Sequence, residues 1–315
     1  GARRARHGEL HPLVENAKPD RSRGPLVWLD MDQQALDDAY TQIVYAPNRD
    51  QVLARFAANS EIARRRLGAP QRFAYGPTLV EGLDLYKAKK PGAPINVFVH
   101  GGAWRGGEAK NYAFPAEVFV SAGINFVALD FINVLESGGE LMPLAEQVRR
   151  AIAWVYRNAD KLGADRERLY VTGQSSGAHL AAVAITTDWQ RDFQLPANIV
   201  KGALCASGMY DLKPVRLSAR NAYVKFTDQV EEALSSQRHI ARINCPVVVA
   251  YGTLETPEFQ RQARDFAAAL KQNGKTVELL VGQGYNHFEL TETLGNPYGI
   301  LGRAALALIS GGAGQ

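Results

Sequence analysis

Gly173-Gln174-Ser175-Ser176-Gly177 sets a serine between two glycines where the chain changes character. Before it, Arg168-Leu169-Tyr170-Val171-Thr172 is strand-like; after it, Ala178–Ile185 is an apolar run that reads as a buried helix. A sharp strand-to-helix turn exposes the hydroxyl of such a serine. The glycines are needed because larger side chains would clash in so tight a turn. The chemistry this permits is nucleophilic attack on a carbonyl carbon. Alone, the pentad also fits a plain turn packing a helix on a sheet, so its partners must decide.

A serine hydroxyl is a weak nucleophile and needs a base, usually histidine, oriented by a carboxylate. Beyond Ser175 and the helix that follows it, which holds His179, the histidines are His239 and His287. His287 lies in Gly284-Tyr285-Asn286-His287-Phe288, in a loop following an apolar strand, where catalytic groups belong. It is preferred over His239, which falls in an irregular stretch. The acid should follow the penultimate strand, Val247–Gly252. Glu255 in the next loop is preferred; Glu258 has an ordinary explanation as a carboxylate at a helix N-terminus. Asp228 and Asp211 are weaker alternatives. Upstream, Val97-Phe98-Val99 runs into His100-Gly101-Gly102-Ala103-Trp104, a glycine pair able to turn backbone amides into a cleft as an oxyanion hole. The amide of Ser176 would be the second donor. His100 and His179, inside these motifs, read as structural.

These segments together resemble the α/β-hydrolases. More narrowly, His-Gly-Gly-x-Trp, Gly-x-Ser-x-Gly-Ala-His, Tyr251–Phe259 and Asn286–Phe288 are similar to the kynurenine formamidase (arylformamidase) branch and its neighbouring His-Gly-Gly carboxylesterases. The helical stretch Leu36–Leu67, with Tyr45-Ala46-Pro47-Asn48, is similar too. That branch commonly has aspartate where this chain has Glu255, so a longer arm must be accommodated by a retreating loop. The resemblance implies a serine hydrolase that cleaves small aryl or alkyl carboxylic esters through an acyl-enzyme on Ser175. His287 is then the base, Glu255 its orienting acid, and the amides of Gly102, Ala103 and Ser176 the oxyanion donors. No metal or cofactor is required. An arylformamidase acting on N-formyl aryl amines such as N-formylkynurenine is the alternative. A ligand-binding protein on the same scaffold, without turnover, is the second.

The elements around these residues alternate. Strands are expected at Ile95–His100, Asn125–Asp130, Leu169–Gly173, Gly202–Ala206, Val247–Gly252 and Val277–Val281, with one or two antiparallel strands in 71–88. Helices are expected at Ala113–Ala122, Leu144–Leu162, Ser176–Thr187 and Pro257–Asn273. This predicts an α/β fold with a mostly parallel central sheet, helices on both faces and a small helical cap. Residues 1–25 read as an irregular N-terminal segment. Residues 26–310 read as a single domain with an N-terminal helical extension at about 33–67. A cap-like excursion at about 208–243 would lie over the C-terminal edge of the sheet.

Trp104, Tyr223, Phe226, Tyr285 and Phe288 are candidate substrate-binding residues, with Tyr112 and Phe131 also placed to line a cleft. They favour an uncharged or aromatic small-molecule ester or amide, and no cluster of cations suggests a phosphorylated one. The net charge is +4 over 315 residues, with basic residues scattered, so nucleic-acid binding is not expected. Arg64-Arg65-Arg66 suits a helix C-terminus. Cys205 and Cys245 lie in apolar segments and read as buried free thiols. No run is long enough for a transmembrane helix, so a cytoplasmic enzyme without a membrane partner is the simplest reading. A homodimer packed through the N-terminal helices is one arrangement the sequence allows.

Overall fold

The computed structural model describes residues 24–311. The irregular reading of residues 1–25 lies almost wholly outside the described residues. The chain enters through a short hairpin, β1 (Leu26–Trp28) and β2 (Met31–Asp32). Asp32 caps α1 (Gln33–Ala39) by accepting the Ala35 amide at 2.9 Å. α2 (Gln42–Tyr45) and α3 (Arg49–Leu67) follow. α3 buries Val52, Phe56, Ser60 and Ala63, the one-face spacing of a helix lying on a core. The extension thus packs on its own chain, and the Ser60 hydroxyl accepts the amides of Ala113 and Phe114, both at 3.0 Å.

Next come β3 (Gln71–Ala74), β4 (Gly82–Tyr86) and β5 (Ala93–Val99), then α4 (Ala116–Ser121), β6 (Asn125–Leu129) and α5 (Met142–Arg157). β7 (Ala164–Gln174) leads through Ser175 into α6 (Ser176–Ile185) and α7 (Trp189–Phe193). β8 (Gly202–Ala206) precedes the excursion, whose helical pieces are α8 (Lys213–Leu217), a 3-10 turn at Ala219–Ala222 and α9 (Asp228–Leu234). β9 (Val247–Gly252), α10 (Pro257–Gln272), β10 (Val277–Gly282), α11 (His287–Glu292) and α12 (Ile300–Gly311) complete the described chain.

The eight-stranded sheet runs β10-β9-β8-β7-β5-β6-β4-β3. Its strands are parallel from β10 to β6; β4 and β3 pair antiparallel at the far edge. Alternation along the central strands divides the core. Ile95, Val97, Val99, Val127, Val171, Ala203 and Val249 face one layer, with α1, α5, α6 and α10. Phe98, Phe126, Tyr170, Leu204 and Val248 face the other, with α3, α4 and α12. β5 and β7 lie where the strand order switches, the place where open α/β sheets bind ligands beyond their C-terminal ends.

Several boundaries differ from expectation, among them β7, which begins at Ala164 rather than Leu169, and two at helices have clear reasons. Pro115 cannot sit inside a helix, so the helix expected from Ala113 starts at Ala116, after a separate 3-10 turn at Ala109–Tyr112. α5 stops at Arg157 rather than 162, with the Asn158 amide donating back to the Trp154 carbonyl.

Candidate active site

The pentad forms a sharp turn. Ser175 holds φ 55° and ψ −127°, a left-handed conformation rare for a non-glycine residue. A Cβ on Gly177 would run into the carbonyl oxygens of Val99 and His100, and one on Gly173 into the carbonyl of Gly177. Glycine at both places lets α6 approach β5 and β7 closely enough to present the hydroxyl.

Three side chains from three strand ends then meet. The Ser175 hydroxyl donates to His287 Nε2 at 2.7 Å, and His287 Nδ1–H donates to Glu255 Oε1 at 2.6 Å. His287 and Glu255 are each 1% exposed. Glu255 Oε2 accepts the Ser207 hydroxyl at 2.8 Å and the Gly252 amide at 2.7 Å. Both carboxylate oxygens are therefore occupied, and Oε1 is turned to the imidazole. His287 is the first residue of α11 rather than a loop residue. Asn286 caps that helix by accepting the Phe288 and Glu289 amides at 3.1 and 3.0 Å, and the Glu289 carboxylate accepts the Asn286 amide in return. The ring of Phe259 stands edge-on to the imidazole at 4.9 Å.

The alternatives lie elsewhere. Glu258 is bound by Arg261 at 2.7 and 2.9 Å and accepts the Tyr40 hydroxyl at 3.1 Å. His239 is bonded to the Glu232 carbonyl. Asp228 is exposed and paired with Arg216; Asp211 faces Arg238.

The His-Gly-Gly loop is wound tightly. Gly102, Ala103 and Trp104 all have positive φ, 125°, 55° and 61°. Consecutive left-handed residues turn their amides one way, a concavity suited to anions. The amides of Gly102 and Ala103 donate to no group among the described residues, and the Ser176 amide is the free first donor of α6. The Trp104 amide is committed: it donates to the Ser176 hydroxyl at 3.2 Å.

His100 and His179 are enclosed in the surrounding structure. His100 is stacked between Tyr112 and Phe131, and burial pushes its pKa down. His179 Nδ1 accepts the Trp104 indole N–H at 3.1 Å, so Nε2 carries the proton and donates to the Leu234 carbonyl at 2.9 Å. Burial lowers its pKa to about 4, which keeps it neutral.

Above the serine opens a cavity of about 650 Å³, a size suited to small ligands. Gly102, Ala103, Ser175 and His287 form part of its wall, with Leu53, Phe56, Tyr112, Tyr223 and Phe288 as its apolar lining. Of the aromatic candidates, Tyr112, Tyr223 and Phe288 are brought there. Trp104 is turned inward by its positive φ, and its indole packs on His179. Phe226 packs edge-on against Trp104, and Tyr285 borders a separate surface cleft with Arg55 and Glu292. Phe131 covers His100 instead.

The cavity wall is not made of aromatic and apolar groups alone. Arg49, Arg105 and Arg220 converge on the cavity, against a single carboxylate, Asp50. They come from α3, the His-Gly-Gly loop and the excursion, so no local cluster marks them in the chain.

A family model described as BD-FAE matches residues 83–215, the stretch from β4 through the pentad to α8. Kynurenine formamidase of Salmo salar is 30% identical over 281 residues, covering 85% of this chain and 93% of its own. The chain belongs to the α/β-hydrolase family. Kynurenine formamidase of Danio rerio is 28% identical to this α/β-hydrolase, over 90% of this chain and 98% of its own. Esterase LipC of Mycobacterium tuberculosis is 29% identical over 67% of this chain and 57% of its own. Among solved structures, a Silicibacter sp. TM1040 protein provisionally described as a thioesterase has a TM-score of 0.75 at 23% identity, covering 87% of this chain and 98% of its own. The propionate-bound Est2 esterase of Thermogutta terrifontis gives 0.63 at 22%, covering 78% and 93%. At these identities the two structures speak for the fold alone. Among the described residues, no helix of this α/β-hydrolase is long and apolar enough to cross a membrane.

Proposed function

We propose that this hydrolase cleaves small carboxylic esters by acyl transfer to Ser175. The observation that carries the proposal is the unbroken chain from Ser175 Oγ through His287 to Glu255, at 2.7 and 2.6 Å, on the wall of a cavity. His287 Nε2 takes the serine proton as Oγ attacks the carbonyl carbon. Glu255 keeps the second imidazole proton on Nδ1 and stabilises the cation that forms. The carbonyl oxygen, now negative, meets the amides of Gly102, Ala103 and Ser176, which are already turned and need no reorganisation. The tetrahedral adduct collapses, and the leaving alkoxide takes the proton held on Nε2. Water then attacks the acyl-serine, with His287 as base again, and frees the acid.

A second reading, arylformamidase, is favoured by the two kynurenine formamidases that match along nearly the whole chain. The chemistry is the same, with a formyl group on Ser175 and an aryl amine leaving.

The test is labelling with a fluorophosphonate and peptide mapping, beside the Ser175→Ala variant. Label on Ser175 and loss of turnover in the variant are expected. Label elsewhere, or an unchanged rate, would overturn the serine mechanism. A parent protein that binds esters without cleaving them would favour a non-catalytic ligand-binding role. Turnover of N-formylkynurenine against a nitrophenyl ester separates the two substrate readings.

A further inference from the structure

Arg220 is the most unusual charge in the molecule. It lies in the 3-10 turn at Ala219–Ala222 of the excursion and is 4% exposed, yet it borders the cavity that holds Ser175 and His287. A guanidinium stays charged under all ordinary conditions, and a buried charge is costly unless it is paired. Its Nε donates to the Tyr40 carbonyl at 3.0 Å. Neither Nη1 nor Nη2 hydrogen-bonds to a described residue, and Nη1 is enclosed without a partner. The rings of Trp104 and Phe259 flank the guanidinium carbon at 5.5 and 5.7 Å and hold it in place. By contrast, Arg72 and Arg261, both partly covered, each meet two carboxylates.

Among the described residues, no carboxylate pairs with Arg220. Arg49 already engages Asp50 at 3.0 Å, and Arg105, stacked over the Tyr223 ring at 4.4 Å, adds an exposed cation on the cavity wall. With Nε committed and Nη1 enclosed, Nη2 is the donor left to a ligand in the cavity, and a charge-assisted hydrogen bond from it suits a carboxylate oxygen. We propose that Arg220 binds a carboxylate carried by the substrate, away from the bond that is cleaved. The substrate class is thus an anionic ester or amide, with Arg105 strengthening the field at the mouth. This rests on the serine hydrolase reading for its turnover, but not for its binding.

Two matched substrate pairs test it. On the acyl side, 4-nitrophenyl hydrogen succinate is compared with 4-nitrophenyl butyrate. On the leaving-group side, 3-acetoxybenzoate is compared with 3-acetoxybenzamide. In the unaltered enzyme at least one carboxylate member should have the higher kcat/KM, by about 10- to 100-fold, the range expected for a hydrogen bond to a charged group. In Arg220→Met that ratio should collapse towards unity, whatever happens to the absolute rates, and Arg220→Lys should retain part of it. Preference for neither carboxylate in the unaltered enzyme overturns the proposal, even where Arg220→Met does not fold. A preference that survives in Arg220→Met also overturns it and leaves Arg220 as a packing post. Calorimetric titration of Ser175→Ala with 3-hydroxybenzoate and 3-hydroxybenzamide separates the two readings. Tighter carboxylate binding supports the Arg220 site even where no ester is cleaved, and equal binding counts against it.

Discussion

The Ser176 hydroxyl accepts the Trp104 amide at 3.2 Å, so the residue after the candidate nucleophile also ties down the His-Gly-Gly loop. Two of the three donors proposed for the oxyanion, Gly102 and Ala103, precede that tether directly. Ser176→Ala leaves a buried amide without a partner, a loss of about 1–3 kcal/mol. The loop then drifts relative to Ser175, and kcat should fall by roughly 10- to 100-fold, since small misplacements of catalytic groups have effects of that size. Urea unfolding and steady-state kinetics check both; a variant with parental stability and kcat would remove this role from Ser176.

Glu255 and Glu258 are three residues apart and equally buried, but only Glu255 faces His287. Glu255→Gln can present an amide N–H to Nδ1, which moves the imidazole proton to Nε2 and disarms the base. A drop in kcat of roughly 10⁴ is expected, the effect of the corresponding change in a serine protease. Glu258→Gln breaks the Arg261 ion pair and weakens the Tyr40 contact instead. It should lower the melting temperature while kcat stays within about tenfold, because no reacting atom is touched. If the two variants exchanged these phenotypes, the acid would be misassigned.

Gly102 combines a φ of 125° with a position where a Cβ would meet the Gly106 carbonyl. Gly102→Ala therefore strains the loop twice, and backbone rather than a flexible side chain must yield. Gly102 is exposed, so the core is spared. A loss in kcat of about 10²–10³, the scale for removing one oxyanion donor, should come with a normal circular dichroism spectrum. Retained kcat would mean that this amide does not meet the developing charge.

What the sequence disclosed, and what it hid, follows from how each feature is encoded. Ser175, Glu255 and His287 could be ordered along the chain because each follows an apolar strand, and strand ends are visible as short apolar runs. Gly202–Ala206 and Val247–Gly252 were legible to the residue for the same reason. α12 went unassigned although Leu301, Ala305 and Ile309 repeat every four residues, a signal that was available. Side-chain direction in loops carries no such periodicity. Trp104, Phe226 and Tyr285 therefore looked like cavity aromatics, although a positive φ turns Trp104 into the core. Arg49, Arg105 and Arg220 meet only through tertiary structure, so their convergence leaves no mark in local composition.

His179 provides a pH test of the packing behind the site. Trp104 Nε1–H and the Leu234 carbonyl together require a neutral imidazole with its proton on Nε2. Burial lowers the folded pKa to about 4, whereas an unfolded chain titrates near ~6.5. Between those values the unfolded state binds the extra proton. The stability His179 contributes is thus complete above about 6.5 and is lost as pH falls towards 4, on the order of 3 kcal/mol over the whole window. His100, also lowered by burial, adds a term of the same sign. His179→Gln offers an amide oxygen to the indole and an amide N–H to the carbonyl, without a titrating group. Urea midpoints at about pH 7 and pH 4.5 should therefore differ less in the variant than in the parent, by roughly 2–3 kcal/mol in unfolding free energy. Equal losses in both proteins would show that this histidine does not carry the acid sensitivity.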